Sequence, residues 1–335
     1  MGTGWIAAAM PIAVLIATWW LTGRVRLWLE RRAILDRPVA RSVHSAPVPR
    51  GGGVALVPVM LAAWLALALL GHAPSGTVGI VAGAAALALL SWLDDLRGLP
   101  IGVRLIGQAV AVIAGLDFLP PGAVFQGLLP PFLDRAAVAV VWLWFVNVYN
   151  FMDGIDGITG IETAALGFGT PLAAAFAGLP DDGSAVLALS LAAGGLAFLR
   201  WNWHPAKIFL GDVGSVPLGY MLGWLLLGLA AQGLWAPALI LPLYYLADAA
   251  LTMAGRMLRR ERFWESHRQH FYQRALAPDG DHAAVARWVM LADVALIALA
   301  VFAVVRPWLA LALAAAVVLV LLLLLERRAR RAPGR

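Results

Sequence analysis

The sequence predicts an all-α protein that crosses a membrane ten or eleven times, and three observations predict it. Of its 335 residues, 62% are hydrophobic and only 13% are charged, about half the charged share of an ordinary soluble domain. The apolar residues form continuous Ala/Leu-rich runs, not the alternating segments of about ten residues that build a transmembrane β-barrel. Lys and Arg collect in every second connection between those runs, the bias that orients membrane helices. Soluble globular, disordered and nucleic-acid-binding classes are thereby excluded, although a net charge of +6 would otherwise suggest nucleic acid as a partner. The chain has no Cys, which removes disulfides and thiolate metal sites.

The first run, 5–22, has no basic residue ahead of it and no small-residue cleavage signal behind it. It is expected as a retained helix rather than a signal peptide. Further runs fall at 52–71, 77–93, 104–119, 135–150, 158–178, 184–200, 215–230, 235–255, 285–305 and 308–325. Each approaches the roughly 20 residues that span a bilayer. A single integral membrane unit over 1–335 is expected, closed by a basic tail at 326–335. Of the 25 basic residues, 23 fall in the connections 23–50, 94–107, 200–214 and 256–287 and in the tail; only Arg135 and Arg306 lie opposite. The positive-inside rule makes the 23-residue face cytoplasmic, with the N-terminus outside and the C-terminus inside.

The chemistry-bearing residues share that face. One connection contains Asp94-Asp95, with Arg97 and Arg104 behind them; the next contains Asn147, Asn150, Asp153 and Asp156. A third reads Gly211-Asp212-Val213-Gly214-Ser215, and a fourth Ser266-His267-Arg268-Gln269-His270. Taken singly, each has an ordinary reading: helix caps, turn residues, packing histidines. Zinc at the His267/His270 pair lacks a third ligand nearby. Together, carboxylate and amide oxygens suit a hard cation such as magnesium held with substrate phosphates, and Arg97, Arg104 and Arg268 suit pyrophosphate oxygens. That mixture fits phosphoryl transfer, and the bilayer setting suggests a lipid phosphate as one substrate.

These motifs, in this order over roughly residues 35–275, resemble the polyprenyl-phosphate N-acetylhexosamine-1-phosphate transferases. His44-Ser45-Ala46-Pro47-Val48-Pro49-Arg50-Gly51-Gly52-Gly53 is similar to the family's first loop signature, Asp94-Asp95 to its paired aspartates, and Arg104 with Gln108 to the residues that follow. Asn147, Asn150, Asp153 and Asp156 fit the Asn-x-x-Asn-x-x-Asp-Gly-x-Asp-Gly segment, Gly211-Asp212 the Gly-Asp-x-Gly-Ser element, and His267 with His270 the last histidine loop. The resemblance implies that a UDP-N-acetylhexosamine and polyprenyl phosphate give polyprenyl-diphospho-sugar and UMP, with magnesium (manganese would serve the same donors). It implies Asn150 and Asp212 as metal ligands. It implies catalytic roles for Asp94, Asp95, Asp153, Asp156, His267 and His270, and substrate binding by Arg104, Asn147, Arg268, His44 and Arg50. Asp94 and Asp95 would lie by the lipid phosphate, Arg104 and Arg268 on the diphosphate, Asp153 and Asp156 on the nucleotide side.

The last loop reads Ser-His-Arg-Gln-His, not three consecutive histidines. It resembles less the muramoyl-pentapeptide branch than bacterial inner-membrane enzymes initiating O-antigen or other surface polysaccharides. A second copy of the chain is an allowed partner; nucleic acid is not. Asp248 resembles an acid found at this point of the family, whereas Asp293 is expected to be structural and His204 an interfacial packing group. The rival class is a transporter or flippase, which would place its acids near the bilayer midplane, commonly within inverted repeats. Here most acids sit at span ends on one face, and no repeat is visible.

Overall fold

The computed structural model describes residues 4–36, 47–261, 267–276 and 280–331. His44, with Ser45 and Ala46 of its loop signature, lies outside the described residues. The elements are helices joined by short connections. In order they are α1 (Gly4–Arg31), a two-stranded antiparallel ribbon of β1 (Leu35–Asp36) and β2 (Val48–Pro49), α2 (Gly53–Leu69), α3 (Thr77–Arg97), α4 (Ile101–Gly115) and α5 (Pro131–Phe151). Then come α6 (Ile158–Phe176), α7 (Ser184–Asn202), α8 (Asp212–Ala231), α9 (Trp235–Ile240), α10 (Leu243–Leu258), α11 (Phe271–Arg274), α12 (His282–Ala303) and α13 (Pro307–Ala329).

Among the described residues eight helices are long and apolar enough to cross a membrane: α1, α3, α4 with its following turn, α5, α7, α8, α12 and α13. The 17-residue α2 is shorter. All eleven apolar runs of the sequence are helical, with two corrections. The run 235–255 is not one helix: the chain breaks between α9 and α10, at Leu241 and Pro242. Proline there has no amide hydrogen with which to continue the ladder. The first helix also outlasts its apolar run by nine residues, because Arg, Leu and Glu are good helix formers and Arg26 pairs with Glu30 one turn on, at 3.1 Å. Pro11, Pro58, Pro171 and Pro217 sit inside the longer helices, which membrane bundles tolerate when neighbours re-satisfy the freed carbonyls.

The centre of the bundle is α8, packed by α2, α3, α5, α6 and α9, and its whole apolar window is buried. Aromatic side chains lock it in place. Trp142 of α5 stacks on Tyr220 with centroids 4.8 Å apart, and its indole N–H donates to the Tyr220 carbonyl at 3.0 Å. Trp224 donates to the Phe118 carbonyl at 2.9 Å. The outer surface is apolar instead: Ile113, Val140, Val294, Leu319 and Leu323 are all exposed. A face of that kind is what a helix presents to lipid rather than water. With eight such helices, this is an all-α polytopic membrane protein.

The described part of the basic tail is tied to the bundle. Its first residues continue α13, where Glu326 pairs with Arg274 of α11 at 2.8 Å and the Arg328 guanidinium donates to the Ala275 carbonyl at 3.0 Å.

Candidate active site

Local backbone geometry brings the sequence motifs together. Gly98 adopts φ 65°, the left-handed conformation glycine tolerates best. Its N–H caps α3 on the Asp94 carbonyl at 2.8 Å, so the paired aspartates end a helix. Asp212 opens α8 behind Gly211. The two ends are joined through the first loop. Phe209 donates to the Pro49 carbonyl at 2.8 Å, the amides of Gly51 and Gly52 donate back to the Phe209 carbonyl at 3.1 and 2.8 Å, and Gly53 donates to Leu210 at 2.9 Å. Arg50 therefore lies beside the residues leading into Asp212.

An alternating row of charges results. Asp94 accepts from Arg104 at 2.8 Å and from the Leu99 amide at 2.6 Å. Arg104 also reaches Asp212 at 3.5 Å. The other Asp212 oxygen meets Arg50 at 3.0 Å, and Arg50 meets Asp95 at 2.8 Å. The second Asp95 oxygen accepts the Val213 amide at 3.1 Å. Three carboxylates face two guanidiniums, which leaves the row one negative charge in excess. Asn150, at the end of α5, donates through Nδ2 to Ser215 Oγ at 2.8 Å, one turn beyond Asp212. That leaves its amide oxygen as an acceptor. Asn150 and Asp212 line the same cavity, and their oxygens make the hard donor set that magnesium takes.

Asp153 follows in the turn after α5 and accepts the Thr159 hydroxyl at 2.5 Å. Burial pushes its carboxyl up to about 7, with the Asp212 charge adding and the Arg50 charge opposing. Its folded value thus lies above its unfolded one, so ionisation costs stability. The cost is absent near pH 4, grows through neutrality and is complete above pH 7. Asp153→Asn, in chelator without magnesium, should melt no higher than the parent at pH 4 and measurably higher at pH 8. Equal differences at both pH values, by thermal unfolding in detergent, would contradict this. Asn147 lines the cavity with both of its donated bonds made inside the protein, to Gln108 and the Leu143 carbonyl, each at 2.8 Å.

A match to a family model, that of glycosyl transferase family 4, covers residues 77–230. A probable undecaprenyl-phosphate N-acetylglucosaminyl 1-phosphate transferase of Bacillus subtilis is 30% identical over 259 residues, 72% of this chain and 70% of that protein. The chain belongs to glycosyl transferase family 4. A decaprenyl-phosphate N-acetylglucosaminephosphotransferase of Mycobacterium tuberculosis is 32% identical over 239 residues, 64% of this chain. The chain spans only 58% of that relative's length. A phospho-N-acetylmuramoyl-pentapeptide-transferase of Oceanobacillus iheyensis is 45% identical, but over 73 residues, 22% of each chain. The transporter or flippase alternative is not favoured for a family 4 transferase.

Two of the expected catalytic residues stand elsewhere in this transferase. Both Asp156 oxygens are taken up by His204, His282 and the Ala206 amide, partners that are not members of the charge row. Burial alone would raise its pKa, but the His282 and His204 bonds reverse that and hold it below the ordinary value. His204 is thus a partner of Asp156 and not the mere packing group expected. His270 is buried with its Nδ1 3.0 Å from Asp248, and Asp248 also accepts the amides of Phe271 and Tyr272 at 3.1 and 3.3 Å. The pair is an anchor for the last loop. His267 stacks on His270 at 4.9 Å. Burial, with His270 adding, lowers its pKa to about 4, so it is a neutral imidazole at pH 7. Tyr272, which carried no sequence signal, donates to the Phe151 carbonyl at 3.0 Å and docks this loop on the Asn150–Asp153 turn. Ser215 was visible only as a motif neighbour of Asp212, and Thr159, two residues past the Asp-Gly-x-Asp-Gly segment, carried no sequence signal.

Proposed function

We propose that the protein transfers an N-acetylhexosamine-1-phosphate from a UDP-sugar to polyprenyl phosphate, releasing UMP. The observation that carries this reading is the cavity of about 350 Å³ that contains Asp94, Arg104, Asn150 and Asp212. One wall is charged; the other, from α4, α5 and α10, is apolar and includes Ile101, Leu105, Trp144 and Met253. Such a cavity suits an amphiphile with a phosphate head and a hydrocarbon tail. The names of these two relatives, both prenyl-phosphate N-acetylglucosamine-phosphate transferases, support the lipid-phosphate acceptor and an N-acetylhexosamine-phosphate as the group transferred.

In this reading an oxygen of the acceptor phosphate forms a bond to the sugar-bearing phosphorus, and the bond from that phosphorus to UMP breaks. Arg104 and Arg50 neutralise phosphate charge, while Asp94 and Asp95 hold those guanidiniums in place. A polyprenyl phosphate is already anionic at pH 7, so little base assistance is required. Asp212 and Asn150 would hold magnesium, which would supply a Lewis acid for the diphosphate oxygens. Asp153 borders the same charges from the α5–α6 turn, and Arg268 is assigned to the diphosphate from the last loop. The Ser-His-Arg-Gln-His loop favours surface-polysaccharide initiation, O-antigen included, in a bacterial inner membrane, with GlcNAc, FucNAc and QuiNAc donors equally compatible.

Purified protein with polyprenyl phosphate, magnesium and a panel of UDP-sugars should release UMP with at least one donor. Release with none overturns the reading. The cytoplasmic placement of the site is tested separately in the cysteine-free chain. A membrane-impermeant thiol reagent applied to intact cells should label Asp181→Cys and leave Gln269→Cys untouched; the reverse pattern inverts the topology.

A further inference from the structure

The Asp156 cluster is built from three stretches far apart in sequence: the α5–α6 turn, the α7–α8 connection and the first residue of α12. His204 Nδ1 lies 2.6 Å from Asp156 Oδ2, and His282 Nδ1 lies 3.2 Å from Oδ1. The two rings stack with centroids 4.9 Å apart and planes 24° from parallel. One donor atom from each residue falls within 4.8 Å of the other two. Asp156 and His282 are buried, while the His204 side chain keeps 35% of its surface.

The hydrogen bonding is in conflict at His282. The Asp156 amide donates to His282 Nδ1 at 3.2 Å, which requires a lone pair there. Asp156 Oδ1 faces the same nitrogen at 3.2 Å, which requires a proton. A neutral imidazole can meet one demand and not both. A cation on that lone pair would be held by the ring and the carboxylate together, in place of the amide contact at Nδ1.

We propose that Asp156, His204 and His282 bind a divalent transition metal of the zinc class, at a site separate from the Asn150–Asp212 cavity. Two imidazoles and one carboxylate are a zinc-type donor set, whereas magnesium prefers oxygen and water. The exposed edge of His204 leaves room for a water as a further ligand. The metal would tie the turn carrying Asp153, the segment leading to Asp212 and the start of α12 into one unit.

The test uses the full-length chain, purified in detergent without chelator from zinc-supplemented cells. Elemental analysis should find about one zinc per chain. After removal of that metal, cobalt should restore a visible absorption band typical of low-coordinate cobalt. It should also raise the melting temperature by about 5 °C at a hundredfold excess over Kd. His204→Ala and His282→Ala should lose the zinc, and Asp212→Ala should keep it. Should the histidine variants fail to fold, the wild-type cobalt titration and Asp212→Ala decide the matter. A wild-type chain with no zinc, no cobalt band and no melting shift overturns the proposal and leaves a hydrogen-bonded clamp only. Loss of zinc in Asp212→Ala, or its retention in both histidine variants, overturns it too.

Discussion

Asp212→Ala should lower turnover by at least about a thousandfold while the protein remains folded. Asp212 touches both Arg50 and Arg104 and shares the cavity with Asn150. It is the carboxylate on which the charge row and the proposed magnesium both depend. Deleting one preorganised electrostatic group in a shielded site costs about 3–4 kcal/mol of transition-state stabilisation, and loss of the metal would add to that. Folding should survive because Arg104 keeps Asp94 at 2.8 Å and Arg50 keeps Asp95 at 2.8 Å. Asn150→Ala should behave alike, since it removes the second oxygen donor along with the Ser215 bond. The check is kcat at saturating magnesium beside a melting curve. Near-parental kcat in either variant would remove that residue from the metal site.

Gly53→Ala should damage both stability and activity, although the residue touches no substrate in the proposed reaction. A Cβ at Gly53 would stand 2.3 Å from the Gly214 nitrogen, 2.4 Å from its Cα and 2.7 Å from the Val213 carbonyl carbon. All three are backbone atoms, so no rotamer change relieves the clash. The start of α2 must back away from the start of α8, which separates Arg50 from Asp212, now 3.0 Å apart. Overpacking of this kind costs about 1–3 kcal/mol of stability, and kcat/KM should fall by about tenfold or more with the displaced guanidinium. Gly102→Ala is the control: it lies in α4 with open space at its Cβ position, where alanine is the better helix former. Equal behaviour of the two variants would sink the argument.

The glycine run at 51–53 shows how far the sequence reaches. It is visible as a motif next to Arg50, but nothing in its spacing says that it packs backbone to backbone against Val213 and Gly214, 160 residues later. The same holds for the histidine loop. Its residues were legible, yet His270 proved to be bound to a buried acid on α10 rather than turned to the charge row. Asp156 is the sharpest case: three residues from Asp153 and in the same motif, it belongs to a different cluster, because His204 and His282 supply its partners. Those partners lie in other connections, and a linear pattern carries no record of which connection folds over which.

What the sequence by itself determined is the membrane class, the helical nature of every apolar run and the identity of the residues that form the charge row. Hydrocarbon thickness demands long uninterrupted apolar runs, and backbone polar groups in lipid demand helices, so both properties are written locally. Acids and amides confined to span ends stand out against such a background. Only the tertiary structure decided the break between α9 and α10, the pairing of Arg50 with two aspartates, and the division of the Asp-Gly-x-Asp motif between two clusters. Those outcomes depend on which helix ends meet, and that is decided by packing around α8, where side chains distant in sequence settle the geometry together.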